Sequence, residues 1–245
     1  EITNFSRREV TSFAYLSIEK ILGYSKSDCI IHSNQELSNN NIISLENIIN
    51  DIKQNIPIQY ILGEAHFYDL KFKVNSSTLI PRGETEELVQ YILLHDFISV
   101  LEIGTGSGCI AVSIAKNSNA KITAIDNSIG ALEIAKSNAV LNSVEINFEL
   151  RDVFNFSEIK KYDLIVSNPP YVLESEKKLM DKNVLDYEPH NALFVSDNDP
   201  LAYYKEIAKI ATNNLNKNGL LFFEINEKYS NQITENSSFY EIFNK

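Results

Sequence analysis

The sequence has little of what staples or anchors a chain. Among 245 residues there are two cysteines, Cys29 and Cys109. Two cannot build a disulfide framework, and no Cys/His cluster has metal-ligand spacing, so no metal site is expected. That cysteine usage points to a reducing cytosol. No apolar run approaches the roughly 18 residues of a membrane-spanning helix. Glu1 opens no basic-then-apolar leader pattern, so no membrane association is expected. Positive charge is scarce, with 22 Lys+Arg against 33 Asp+Glu and a net charge of −11. The deficit argues against stable binding along a nucleic-acid backbone, which needs basic residues to displace counterions. What remains is an ordinary globular mix, 44% hydrophobic and 22% charged, which excludes a disordered chain, a coiled coil or a collagen-like repeat. The length suits one large or two small domains.

The first 63 residues read as helical. Val10, Phe13, Ala14, Ile18, Ile21 and Leu22 recur at helical spacing until Gly23 stops them. Leu45, Ile48, Ile49 and Ile52 repeat the pattern with Ser44 as expected N-cap, and Ser33 to Asn41 between them reads as turn. Phe67, Leu70, Phe72 and Val74 predict strands or a hairpin across residues 64–80. Pro81 is placed to begin a helix rich in early acidic residues. From there the chain alternates. Strands are expected at Val100–Ile103, Ile122–Ile125, Ile146–Leu150, Asp163–Ser167 and Leu220–Ile225. Helices are expected at Gly108–Asn117, from Ser128 to Asn142, and at Leu201–Leu215. Such alternation predicts an α/β fold, a doubly wound, mostly parallel Rossmann-like sheet. The division is a small helical domain (1–63), a hairpin linker (64–80) and a sheet domain (81–245). Ligands in such sheets sit at the carboxyl ends of strands.

Two strand ends carry the chemistry. Gly104-Thr105-Gly106-Ser107-Gly108 follows the first strand and opens a helix, where glycines permit a tight turn and close ligand approach. The spacing is not that of a dinucleotide fingerprint or a P-loop. Asp126 ends the next strand, where a carboxylate can accept both hydroxyls of a ribose. Asp152 and Val153 follow the third strand. Asp152 could accept from an adenine amino group or serve as an ordinary turn carboxylate. Asn168-Pro169-Pro170-Tyr171 closes the fourth strand. Asparagine is common here, 28 of 245 residues, so it is the two prolines that single this one out. They fix the backbone and remove two N–H donors. The Asn168 side-chain oxygen and the Pro169 carbonyl can then converge on one NH₂ group beside the flat face of Tyr171. Holding both N–H bonds turns a weakly nucleophilic nitrogen toward an electrophile by orientation alone. Cys109 reads as a small apolar filler, and the four histidines share no partner.

Together these residues resemble the seven-stranded class of S-adenosylmethionine-dependent methyltransferases. Two segments narrow the resemblance to release-factor glutamine methyltransferases. One runs from Pro57 through Gly63-Glu64-Ala65-His66-Phe67-Tyr68 to Ile80-Pro81-Arg82 and Glu84-Thr85-Glu86. The other is Tyr187-Glu188-Pro189 with Ala192-Leu193-Phe194. The resemblance implies transfer of a methyl group from S-adenosylmethionine to the side-chain nitrogen, N5, of the glutamine in the Gly-Gly-Gln motif of peptide chain release factors. It implies that Gly104 to Gly108 hold the methionine portion, Asp126 the ribose, and Asp152 and Val153 the adenine. Asn168 would border the cofactor and, with Pro169, grip the amide, while Pro170 and Tyr171 shape its slot. Phe67, Arg82, Thr85 and Glu86 would close the site, and the helical domain of a monomeric, cytoplasmic enzyme would contact the release factor.

The chain departs from that family at Gly83, where a second proline is usual, and at Asn226, where a glycine is usual. A final sheet hairpin is expected to continue where the chain reaches Lys245, so that either the sequence lacks its end or the last strand is absent. Two alternatives stay open. One is methylation of an amino group on a nucleic-acid base, which must be unstacked to reach such a slot. The other is a nucleotide-binding oxidoreductase or a binding module without catalysis.

Overall fold

The structure, a computed structural model, describes residues 5–157, 159–229, 232 and 240–244. Helix α1 (Arg7–Leu22) begins at a reciprocal cap, with Ser6 Oγ accepting from Glu9 N–H and Glu9 accepting from Ser6 N–H. It ends at Gly23, whose φ of +69° only glycine adopts cheaply. A short α2 (Lys26–Ile31) follows on a second such box from Ser25 and Asp28, too brief for periodicity to reveal. Helix α3 (Asn39–Lys53) corrects the reading of residues 33–41. Its N-cap is Ser38, which accepts from Asn41 N–H, and Ser44 lies inside the helix. The Asn39-Asn40-Asn41 run looks like a turn but forms a solvated first turn. With α4 (Ile58–Leu62), these helices bury Ile52, Ile58 and Leu62 against Phe13, Leu16 and Ile48. Ile49 points out, 39% exposed.

Strands β1 (Glu64–Phe67) and β2 (Leu70–Lys73) pair antiparallel as expected. Tyr68 and Asp69 both take positive φ at the turn, the geometry that matches strand twist in a two-residue hairpin. Helix α5 (Gly83–Ile92) starts after Arg82, two residues later than the Pro81 start expected. The Ile80 N–H and the Arg82 side chain are engaged elsewhere, which keeps this stretch extended.

The sheet domain continues as β3 (Ser99–Ile103), α6 (Cys109–Asn117), β4 (Lys121–Asp126), α7 (Ile129–Leu141), β5 (Asn147–Leu150) and β6 (Tyr162–Ser167). A two-residue ladder, β7 (Val172–Leu173) with β8 (Phe194–Val195), brackets the short helices α8 (Lys182–Tyr187) and α9 (His190–Leu193). Then come α10 (Ala202–Asn214), β9 (Leu215–Ile225) and β10 (Tyr240–Asn244). The main sheet has the order β10-β9-β6-β3-β4-β5, and each registered pair in it is parallel. At this edge β10 pairs with β9 in parallel. Strand β9 begins five residues before the Leu220 expected, across an irregularity opposite Tyr162 and Leu164.

Both sheet faces are covered, as near-continuous apolar strands require. Val100, Leu164, Val166 and Phe222 pack toward α5 and α6, with Phe67 and Phe72 of the hairpin. Leu101, Ile165, Leu221 and Phe223 pack toward Tyr204, Ile207 and Ile210 of α10. From β3 the chain winds out through β4 to β5, then returns to β6 and winds the other way. The direction of winding therefore switches between β3 and β6, the place where ligands bind in open α/β sheets.

Candidate active site

Ile103 and Ser167 are register partners on β3 and β6, and Ser167 Oγ donates to the Ile103 carbonyl at 2.7 Å. The glycine loop and the Asn-Pro-Pro-Tyr segment thus leave the sheet side by side. The loop turns back over β4, where Gly104 and Thr105 N–H both donate to the Ile125 carbonyl, at 2.9 and 3.0 Å. Gly104, Gly106 and Gly108 have φ of +75°, +53° and +78°. A Cβ at Gly104 or Gly106 would meet nothing within 4 Å, so those positions face open space. A Cβ at Gly108 would sit 3.1 Å from that of Ala135, so this glycine lets α6 and α7 approach.

The loop borders a cleft. Gly104, Thr105, Gly106, Ser107, Asp126, Val153, Asn168, Pro169 and Pro170 line it. Gly108 and Asp152 do not. Asp152 caps a turn, its carboxylate accepting from Phe154 N–H and the Asn155 side-chain amide, both at 3.0 Å. Tyr171 lines a second cavity of about 720 Å³ with Val172, Met180, Val184 and Leu193. Leu79, Arg82, Asn168 and Ala192 line both cavities and mark their junction. Among the described residues no protein group hydrogen-bonds the half-buried Asn168 side chain. A polar side chain left open at such a junction is available to a ligand. Of the four residues expected to close the site, Arg82 and Thr85 line the cleft. Phe67 is core, and Glu86 accepts from Tyr68 N–H at the hairpin turn.

Carboxylates dominate the electrostatics. Asp126 Oδ2 accepts from Gly106 N–H at 2.8 Å, and Oδ1 from Ser128 N–H at 2.9 Å. Each oxygen keeps a lone pair for a hydroxyl donor. Burial raises its pKa against those hydrogen bonds. Glu102, 1% exposed, accepts from Thr105 Oγ1 at 2.5 Å. Burial first, and then the nearby Asp126 charge, push its pKa up to about 8. The Cys109 thiol is pushed up to about 12 by burial and by Glu102, although the residue as a whole is partly exposed. A thiol so placed is no nucleophile at neutral pH.

Sequence reasoning missed three contributors. Glu102 carried no signal beyond its place before the glycines. Tyr203 of α10 lines the cleft from residues far along the chain. Asn138, fully buried on α7, accepts from Lys73 N–H at 2.6 Å and donates to the carbonyls of Lys73 and Ser107, each at 2.9 Å. It ties the hairpin to the glycine loop, and no local pattern announces it. Among the described residues there is no cluster suited to a metal ion and no helix long and apolar enough to cross a membrane.

The chain also matches known families. Residues 82–186 match the methyltransferase small domain, and residues 7–63 match the PrmC N-terminal domain. A release factor glutamine methyltransferase of Flavobacterium psychrophilum is 45% identical over 240 residues, 94% of this chain and 84% of that protein. One from Bacteroides thetaiotaomicron is 45% identical over 226 residues, covering 90% of this chain and 81% of that one. Among solved structures, a methyltransferase from Pyrococcus furiosus superposes with a TM-score of 0.50 at 21% identity, over 78% of this chain and 85% of that one, a likeness of fold alone. Identity of that degree, sustained across both the helical region and the sheet, settles the family: this chain belongs to the release factor glutamine methyltransferases.

Proposed function

We propose that the chain methylates the side-chain amide nitrogen, N5, of the glutamine in the Gly-Gly-Gln motif of a peptide chain release factor, with S-adenosylmethionine as donor. The observation that carries this reading is the free Asn168 side chain at the junction of two cavities. One cavity has the character of a nucleoside site and the other is mostly apolar.

The residues of the cleft fit the cofactor. The open backbone at Gly104 and Gly106 admits the methionine portion. Asp126 keeps lone pairs for the ribose hydroxyls. Val153, Ile207 and the Tyr203 ring offer an apolar bed for adenine. Asp152 acts there through the turn it caps. When bound, S-adenosylmethionine supplies a methyl group on a positively charged sulfur.

The chain's own part is orientation. Asn168 Oδ1 and the Pro169 carbonyl accept the two amide N–H bonds. Pro170 denies the loop a competing donor, and Tyr171 walls the slot. An amide nitrogen is a poor nucleophile, so fixing its direction in a preorganised site is the main source of acceleration. Methylation releases one N–H proton, which passes to water.

The same reading divides the chain into a helical recognition domain (1–63), a hairpin linker (64–80) and a catalytic domain (81–245), acting as a cytoplasmic monomer. The test is mass spectrometry of a release factor incubated with the protein and S-adenosylmethionine. One methyl on the Gly-Gly-Gln peptide is expected. An unmodified release factor beside a methylated adenine oligonucleotide would replace this reading with the nucleic-acid one.

A further inference from the structure

We propose that Glu188 is a positioning residue for the substrate: its buried carboxylate holds the Arg82 guanidinium at the junction of the two cavities. The inference rests on the methyl-transfer reading and names a further determinant of its substrate. Glu188 lies where α8 gives way to α9, and its side chain is 1% exposed. Its two oxygens divide their work. Oε2 accepts from Ile80 N–H at 3.1 Å, and Oε1 from Arg82 Nη2 at 2.6 Å. Both partners lie more than a hundred residues earlier, in the extended wall that precedes α5.

A carboxylate stripped of water to this degree is costly, and an apolar side chain would pack as well if packing were its only task. What the pair adds is geometry. Among the described residues, Arg82 is the one charged side chain lining the second cavity. A guanidinium carries five N–H donors in a rigid fork, and Glu188 fixes the fork while occupying one edge. The remaining donors suit a carbonyl oxygen. Asn168 offers an acceptor for N–H bonds at the same junction. A group that satisfies both is a carboxamide, which presents an oxygen and an NH₂ together. An amine presents no oxygen and leaves Arg82 unanswered. The wall has a second anchor in Tyr60, whose hydroxyl donates to the Thr78 carbonyl at 2.6 Å, so loosening Arg82 alone does not release it.

The experiment uses the whole chain with Glu188→Gln, Arg82→Lys and the double variant. Glutamine at 188 can still accept from Ile80 N–H but loses its charge for Arg82. KM and kcat for a release factor, the Kd of S-adenosylhomocysteine and hydrogen exchange over residues 79–82 are measured. Glu188→Gln is expected to lower kcat about tenfold, with KM and the Kd changed less than about threefold. Arg82→Lys should do the same, and the double variant should be no worse than the poorer single one, because both break one interaction. Unchanged kcat, effects that multiply in the double variant, or a loss that only tracks the unfolded fraction would overturn the proposal. If Glu188→Gln fails to fold, Arg82→Met carries the same test from the more exposed partner. Should the wild type leave the release factor unmethylated, the functional reading fails. Exchange over 79–82 still judges the clamp, since unchanged protection in Glu188→Gln contradicts it.

Discussion

Replacing Glu102 by glutamine should stabilise the protein, and far more at pH 9 than at pH 5. Glu102 is 1% exposed beneath the glycine loop, and its pKa stands at about 8 against 4.5 for a free glutamate. Burial is the chief cause and the neighbouring Asp126 charge adds to it, while Thr105 and the Ala111 backbone oppose it. Below pH 4.5 the carboxyl is protonated in both folded and unfolded chains, and nothing is lost. Between the two pKa values the unfolded chain releases its proton and the folded chain keeps it. Stability then falls by about 1.4 kcal/mol per pH unit. Above pH 8 both forms are ionised and the full penalty stands, about 3–5 kcal/mol after allowing for local relaxation.

Glutamine has the shape of the protonated acid and can still accept from the Thr105 hydroxyl. The difference between variant and wild type should therefore grow from about 0.7 kcal/mol at pH 5 to about 3–5 kcal/mol at pH 9, in a window set by the two pKa values. Asp126 titrates in both proteins, and its contribution largely cancels. Urea unfolding followed by circular dichroism at five pH values measures the difference directly. A gap that stays constant with pH would refute the assignment of a proton to Glu102. A variant less stable than wild type at pH 9 would show that the buried charge is compensated by contacts that glutamine cannot make.

Four further outcomes are expected. Asn168→Ala should bind S-adenosylhomocysteine within about twofold of wild type yet lose at least a hundredfold in methyl transfer, since it removes orientation and not the cofactor's bed; calorimetry and single-turnover assays separate the two. Gly108→Ala should cost about 2–4 kcal/mol, because a strained φ adds to a Cβ 3.1 Å from Ala135, whereas Gly104→Ala, strained but unobstructed, should cost only about 1 kcal/mol in thermal unfolding. Asn138→Ala should cost about 2–4 kcal/mol, leaving the Lys73 and Ser107 groups unpaired, and should raise hydrogen exchange at the Lys73 amide. Cys109 should resist iodoacetamide at pH 8 in the folded protein and react once unfolded, as a thiol held up to about 12 requires; modification followed by peptide mapping reads this.

What was legible in the sequence was what local chemistry dictates. Glycines at 104, 106 and 108 announce positive φ, and all three have it. Gly23 ends α1 by the same rule. Strand cores such as Val100–Ile103 and Asp163–Ser167 were legible because both faces are apolar, and only their first residues were misplaced. Ends governed by competing local signals were not. Ser38 and Ser44 are equally good caps in isolation, and the helix took the earlier one because the asparagines between them can be helical in water. Asp152 shows why position after a strand leaves a role open, since such a carboxylate serves a turn as readily as a ligand, and here each oxygen accepts one bond from the turn and keeps a lone pair.

The residues that escaped are those whose role is created by a partner distant in sequence. Glu188 acquires meaning only when Ile80 and Arg82 are brought to it, and Asn138 only when β2 lies along α7. The convergence of the two motifs has the same origin. Gly104 and Asn168 are 64 residues apart, and what joins them is a register in which Ile103 faces Ser167. A slip of one residue in that pairing would exchange the residues that β6 gives to the two covered faces, so the packing of both cores also fixes the site. The methyl donor and the acceptor amide meet, on this view, because two strands must bury their leucines and valines in one particular alignment. A substitution that weakens that alignment, such as Leu164→Asp, is then expected to abolish both folding and activity, whereas changes at Asn168 should touch activity alone.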